Sequence, residues 1–142
     1  MTGPGAPAGG PPALEAVAAA LRAAWAADTC DPVDIELWSP ATPSRGQCGV
    51  TAVVLHELLG GEVLLAEVHH ADGSPQGVHF WNRLPGGEEV DLTRGQFTAG
   101  ELVGVPEVFE LPPPERLAQG RLATQHALLR ARVRAALGLG AA

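Results

Sequence analysis

The sequence predicts an α+β fold, and three observations carry that prediction. A helical pattern opens the chain, a cluster of short apolar or alternating stretches follows a second helical run, and a third helical run closes it. Strands that are neighbours in sequence, grouped rather than alternating with helices, favour an antiparallel sheet over a parallel one. The expected architecture is therefore a buried helix packed on a small antiparallel sheet, with a C-terminal helix alongside. A chain of 142 residues suits one domain, which buries roughly two-thirds of its unfolded surface and needs no staple.

Residues 1–12 are Gly, Pro, Ala, Met and Thr without a charge. They bury too little surface to offset their ordering entropy and are expected to form a disordered tail, leaving 13–142 as the single domain. Within 13–27, Leu14, Val17, Leu21 and Trp25 recur at helical spacing behind Pro12, which predicts an amphipathic helix. Residues 28–44 hold three prolines and read as a long loop, with Trp38 its one large apolar anchor. Residues 48–59 are the second helix, nearly all buried, with Val50, Val54, Leu55, Leu58 and Leu59 on a broad apolar face and Gly60-Gly61 at its end. Residues 62–70, 78–84 and 89–92 are strands, parted by Asp72-Gly73-Ser74-Pro75 and Pro85-Gly86-Gly87, and form an antiparallel meander. After Pro112-Pro113-Pro114, residues 115–137 read as one last helix.

Composition narrows the chemistry. The formal charge of −7 opposes nucleic acid or an anionic membrane as principal partner, because phosphates need a basic footprint. All nine cationic side chains are arginines, so Schiff-base catalysis, a lysine-held pyridoxal group and a P-loop lysine are excluded. No cofactor is expected. Tyrosine is also absent, which leaves cysteine as the strongest intrinsic nucleophile near neutral pH. Two cysteines, Cys30 and Cys48, are too few for a disulfide scaffold, and there is neither a secretory pattern nor an apolar run near 20 residues. A cytoplasmic location is the expectation.

Cys48 stands where a Gly-containing loop enters the second helix, a position that favours the thiolate. On the second strand His79, Trp81 and Arg83 share one face, and Phe80, Asn82 and Leu84 share the other. If Leu84 pairs with Glu88, Trp81 lies opposite Asp91 and His79 is its diagonal neighbour. Cys48, His79 and Asp91 then have the types and order of a nucleophile, its base and the base's orienter. The first helical N–H groups, with Gln47 as a candidate further donor, would face a developing oxyanion. Asn82 is a candidate alternative orienter, although its side chain leaves the strand on the other face. Trp38 and Trp81 are candidate walls of a substrate groove. A plainer reading makes Cys48 a small buried hydrophobe and His79 a satisfied strand histidine. A zinc site from Cys48, His79, His69 and Asp72 lacks any paired-ligand spacing, and no metal is expected.

The segments 44–52, 58–62, 79–84 and 90–97, with Gln47-Cys48-Gly49, His79-Phe80-Trp81-Asn82 and Val90-Asp91-Leu92-Thr93-Arg94 at their centres, together resemble the YunG-like family. The order of the three residues is also similar, more distantly, to papain-like and transglutaminase-like folds, which implies thiol acyl chemistry. The expected function is a cysteine-dependent acyl-transfer enzyme acting on a small-molecule or peptide substrate. The alternative is a binding domain that keeps the fold without the reaction.

Overall fold

In a computed structural model, which describes residues 10–98 and 100–140, the chain is a mixed α+β fold around one antiparallel sheet. The helices are α1 (Leu14–Ala24), α2 (Cys48–Leu59), α3 (Pro114–Leu117) and α4 (Ala123–Ala136). The strands are β1 (Glu62–His69), β2 (Pro75–Arg83), β3 (Glu89–Val90), β4 (Leu102–Val103) and β5 (Glu107–Phe109). Most of the expected tail lies outside the described residues, and Gly10 to Ala13 have no regular structure.

The three expected strands pair in sequence order, with β3 on β2 and β2 on β1. Two additional short strands, β4 and β5, pair with the other edge of β1 and extend the sheet to five strands. Two- and three-residue strands carry no readable alternation. The β2–β3 hairpin closes with Leu84 N–H donating to Glu88 O at 2.7 Å, and Asn82 pairs with Val90. That is the register on which the His79–Asp91 pairing depended.

The main core lies between the helices and one sheet face. Val17 and Leu21 of α1, Val54 and Leu55 of α2, and Leu129 and Val133 of α4 are all fully buried there. Each such side chain contributes roughly 1.5–3 kcal/mol through removal from water. α2 is less enclosed than expected, since Leu58 and Leu59 are only partly buried. Gly60 and Gly61 turn the chain from α2 into β1 with φ of 76° and 84°. At Gly61 a Cβ would run into the Arg83 carbonyl on the neighbouring strand, so only glycine fits.

The last helix differs from its expected single span. It breaks at 118–122 into α3 and α4, with Gly120 in the break and Arg121 drawn to Asp31, its two guanidinium nitrogens 2.8 and 2.7 Å from the carboxylate. The long loop carries two short 3-10 turns, Ala27–Thr29 and Pro32–Leu37. Among the described residues no helix is long and apolar enough to cross a membrane.

Candidate active site

Cys48 is the first residue of α2, and its position is set by the turn before it. Gly46 has a φ of 73° and lies against Cys30 Sγ, so a side chain there would collide with that thiol. The Gly46 carbonyl accepts from Asp31 N–H at 2.8 Å, and its N–H donates to Gln96 Oε1 at 3.3 Å. The first intrahelical bond runs from Thr51 N–H to Gln47 O. The N–H groups of Cys48, Gly49 and Val50 therefore precede the helical ladder and are free for other acceptors.

Gln47 does not serve as the expected oxyanion donor. Its side chain is fully buried, Oε1 accepts from Thr29 Oγ1 at 2.8 Å, and Nε2 donates to Ala26 O at 3.1 Å. A polar side chain with no exposure must satisfy its amide locally, and the turn after α1 supplies both partners. Gln47 is a strut between the loop and α2.

His79 is fully buried on β2, with Nε2 2.8 Å from Asp91 Oδ2. Its ring stacks on Trp81 with centroids 5.4 Å apart and meets the edge of Phe97 at 4.8 Å. Two aromatic walls and one carboxylate fix the imidazole in place. Its other nitrogen, Nδ1, is buried with no hydrogen-bond partner among the described residues, the Cys48 thiol included. Buried ring nitrogens are rarely left unpaired in this way.

Asp91 also accepts from Arg94 Nε at 2.6 Å. Burial pushes its carboxyl up, but the hydrogen bonds and charges of His79 and Arg94 outweigh this and hold it below its usual range. Arg94 was not anticipated as part of the site. It stands three residues after Asp91 and also lies over the Trp81 ring at 5.2 Å. Its i,i+3 spacing from a candidate catalytic carboxylate was the signal that could have found it.

Asn82 is not an orienter of His79. It is buried and donates from Nδ2 to Ala52 O at 2.9 Å, joining β2 to α2 on the opposite sheet face. Trp81 backs the imidazole and donates to Glu89 Oε1 at 2.9 Å, while Trp38 donates to Pro43 O at 3.1 Å within its own loop. Neither tryptophan lines the cavity beside Cys48, so the expected groove walls are corrected to other residues. His69 and Asp72 do not join the site either. Among the described residues no three His, Cys, Asp or Glu side chains form a possible metal cage.

Thiol and imidazole approach β2 differently. In an antiparallel ladder, residues alternate between bonding one neighbour and the other. Leu84 and Asn82 bond toward β3, so Phe80, two residues further, directs its main chain to the same side. β3 has ended by then, and the Phe80 N–H is left beside the Cys48 thiol, where it favours the thiolate. Cys48 thus meets the edge of β2 one residue from His79.

The thiol is nevertheless not the easily ionised group that its helix position suggests. Burial first, then the charges of Asp34, Asp91 and Asp31, push it from 9.0 up to about 11, against the opposing Phe80 N–H. Asp31 and Asp34 come from the loop, a long-range placement that a local reading of the helix start does not contain.

Cys48 opens into a cavity of about 320 Å³. Asp31, Asp34, Arg45 and Arg121 line its polar side, and Val78, Phe80 and Phe97 its apolar side. Arg45 lies 3.6 Å from Asp34 and 3.8 Å from Glu101, tying the loop to the segment before β4.

Fold and site together define an α+β protein with a thiol at the start of a helix and a buried imidazole–carboxylate pair on the sheet. The family model described as "YunG protein" matches residues 13–138, and the chain belongs to the YunG family. It is 37% identical over 62 residues to "Uncharacterized protein YunG" of Bacillus subtilis (strain 168), a stretch that is 44% of this chain and 48% of that protein. The match thus spans about half the length of that relative. No solved structure matches the chain.

Proposed function

We propose that this protein is a cysteine-dependent acyl-transfer enzyme with Cys48 as nucleophile, His79 as general base and acid, and Asp91 as the group that orients His79. The observation that carries this reading is the fully buried His79, engaged at Nε2 by Asp91 and unpartnered at Nδ1, beside the strand edge where the Cys48 thiol lies. Most buried ring nitrogens are paired, and a general base keeps one available for the proton it takes. His56 Nδ1 is also unpartnered among the described residues, but of the two only His79 is held by a carboxylate at its other nitrogen. The order of thiol, imidazole and carboxylate is similar to that of papain-like and transglutaminase-like enzymes, and we extend that likeness to the fold.

In the proposed reaction, Cys48 sulfur bonds to the substrate carbonyl carbon while its proton passes to His79 Nδ1. The carbonyl oxygen becomes an oxyanion facing the main-chain N–H groups of Cys48 and Gly49. The bond to the leaving amine or thiol then breaks, and His79 returns its proton to that group. Water, or an amine, attacks the thioester and releases Cys48. Asp91 stays ionised throughout and stabilises the imidazolium.

Incubation with small acyl thioesters, followed by intact-protein and peptide mass spectrometry, tests this reading. The expected result is one acyl adduct on Cys48, absent in Cys48→Ala and formed roughly 10²-fold more slowly in His79→Ala. An adduct that forms equally fast without His79 sinks the proposal. A second reading, a binding domain without catalysis, is favoured by the raised thiol pKa and the absence of a thiol–imidazole hydrogen bond. It expects no adduct at all.

A further inference from the structure

A second cavity, of about 260 Å³, adjoins the one beside Cys48 and has a different character. The two share Gly49, Phe80, Arg121 and Leu122 as walls. Its remaining lining is almost wholly apolar, with Val50, Val53 and Val63 on one side and Leu111 and Leu117 on the other. Phe80 and Phe109, edge to face at 5.2 Å, wall it from the sheet.

Among the described residues only Arg121 and His126 bring polar side chains to it, and both are already engaged, Arg121 by Asp31 and His126 by Glu57 at 3.1 Å. A peptide threaded here would bury main-chain N–H and C=O groups without partners, at a cost that its side chains would have to recover. A hydrocarbon chain carries no such groups. Gly49, directly after the nucleophile, lies between the two spaces, and a Cβ there would reach Leu122 Cδ1 at 3.6 Å.

Resting on the catalytic reading above, we infer that this second cavity holds an aliphatic acyl chain whose carbonyl carbon is presented to Cys48. The polar leaving group then occupies the first cavity, among Asp34, Arg45 and Arg121. The substrate class is a medium-chain acyl thioester or amide. Acyl transfer follows the steps already given, with the chain remaining in the apolar cavity until the thioester on Cys48 is resolved.

The experiment compares octanoyl and acetyl thioesters of N-acetylcysteamine, with loading of Cys48 followed by mass spectrometry. Octanoyl is expected to load at least tenfold faster than acetyl on the wild-type protein. Leu117→Trp and Val53→Phe, which fill the cavity from opposite sides, should each bring the octanoyl-to-acetyl ratio down to about one. A second measurement uses octanamide with Cys48→Ala protein, where amide signals of Val53 and Leu117 should shift in a heteronuclear correlation spectrum. Equal loading of both acyl groups, or a preference that survives in both filled variants, overturns the inference while the catalytic reading stands. Octanamide shifts without any loading keep the aliphatic pocket and overturn the catalysis. Neither loading nor shifts overturns both.

Discussion

At the scale of single residues, the unusual feature is a buried imidazole with one unpartnered nitrogen, on the residue before the Phe80 main chain that meets the Cys48 thiol. Cys48 is raised to about 11, so the resting thiol is neutral across the physiological range. Because the raised value favours the protonated form, reactivity should climb with pH rather than level off early. Iodoacetamide labelling of Cys48, followed by peptide mapping so that buried Cys30 is counted separately, should rise about tenfold per pH unit from pH 7 to 10. A rate already level between pH 6 and 8 would instead reveal an ionised pair at rest. The proposed enzyme takes the thiol proton only when a carbonyl is engaged. Of this site, the His79–Asp91 contact was legible, because strand parity and the Leu84–Glu88 closure fix which side chains share a face. The fate of Gln47 was not, since its partners Thr29 and Ala26 come from a turn whose position no local pattern reports.

Among elements, the contact between α2 and α4 carries a pH dependence of its own. Burial raises the Glu57 carboxyl of α2, but hydrogen bonds from His126 and Arg130 of α4 outweigh it and bring it from 4.5 to about 2. A depressed carboxylate stabilises the fold above its unfolded pKa and loses that contribution as pH falls through the folded value. The window is therefore pH 4.5 down to about 2, and because Glu57 is partly open to solvent the contribution is screened to about 1 kcal/mol. Thermal melts followed by circular dichroism should show that loss in the wild type and a much flatter profile for Glu57→Gln. An equally steep loss in the variant would place the acid sensitivity elsewhere. α4 itself was legible from its apolar spacing, with Leu129 and Val133 in the core. The interruption before it had one readable signal, Gly120, a poor helix former, and the break also places Arg121 where it reaches Asp31.

Over the whole molecule, the loop that connects α1 to α2 is held both by the buried Thr29–Gln47 bond and by a set of ion pairs. Asp28 pairs with Arg132 at 2.5 and 2.7 Å, Asp31 with Arg121, and Asp34 with Arg45, so one loop is tied to α4, to the α3–α4 break and to its own end beside Cys48. Four of these six side chains belong to pairs with at least one strongly exposed partner, and exposed pairs contribute roughly 0–1 kcal/mol each. The sheet and α2 are held instead by buried apolar contacts that salt does not weaken. Raising the ionic strength to about 1 M shortens the screening length to roughly 3 Å, so it should loosen the loop selectively. Hydrogen exchange read by mass spectrometry is expected to quicken several-fold in peptides covering 28–46 and to stay constant in β1, β2 and the core of α2. The double variant Asp28→Asn, Asp31→Asn should give the same pattern at low salt. Unchanged exchange under both conditions would mean that the 3-10 turns and the buried Thr29–Gln47 bond hold the loop unaided. Loosening, by contrast, would make access to Cys48 depend on salt, because the same charges that clamp the loop line the cavity into which the thiol opens.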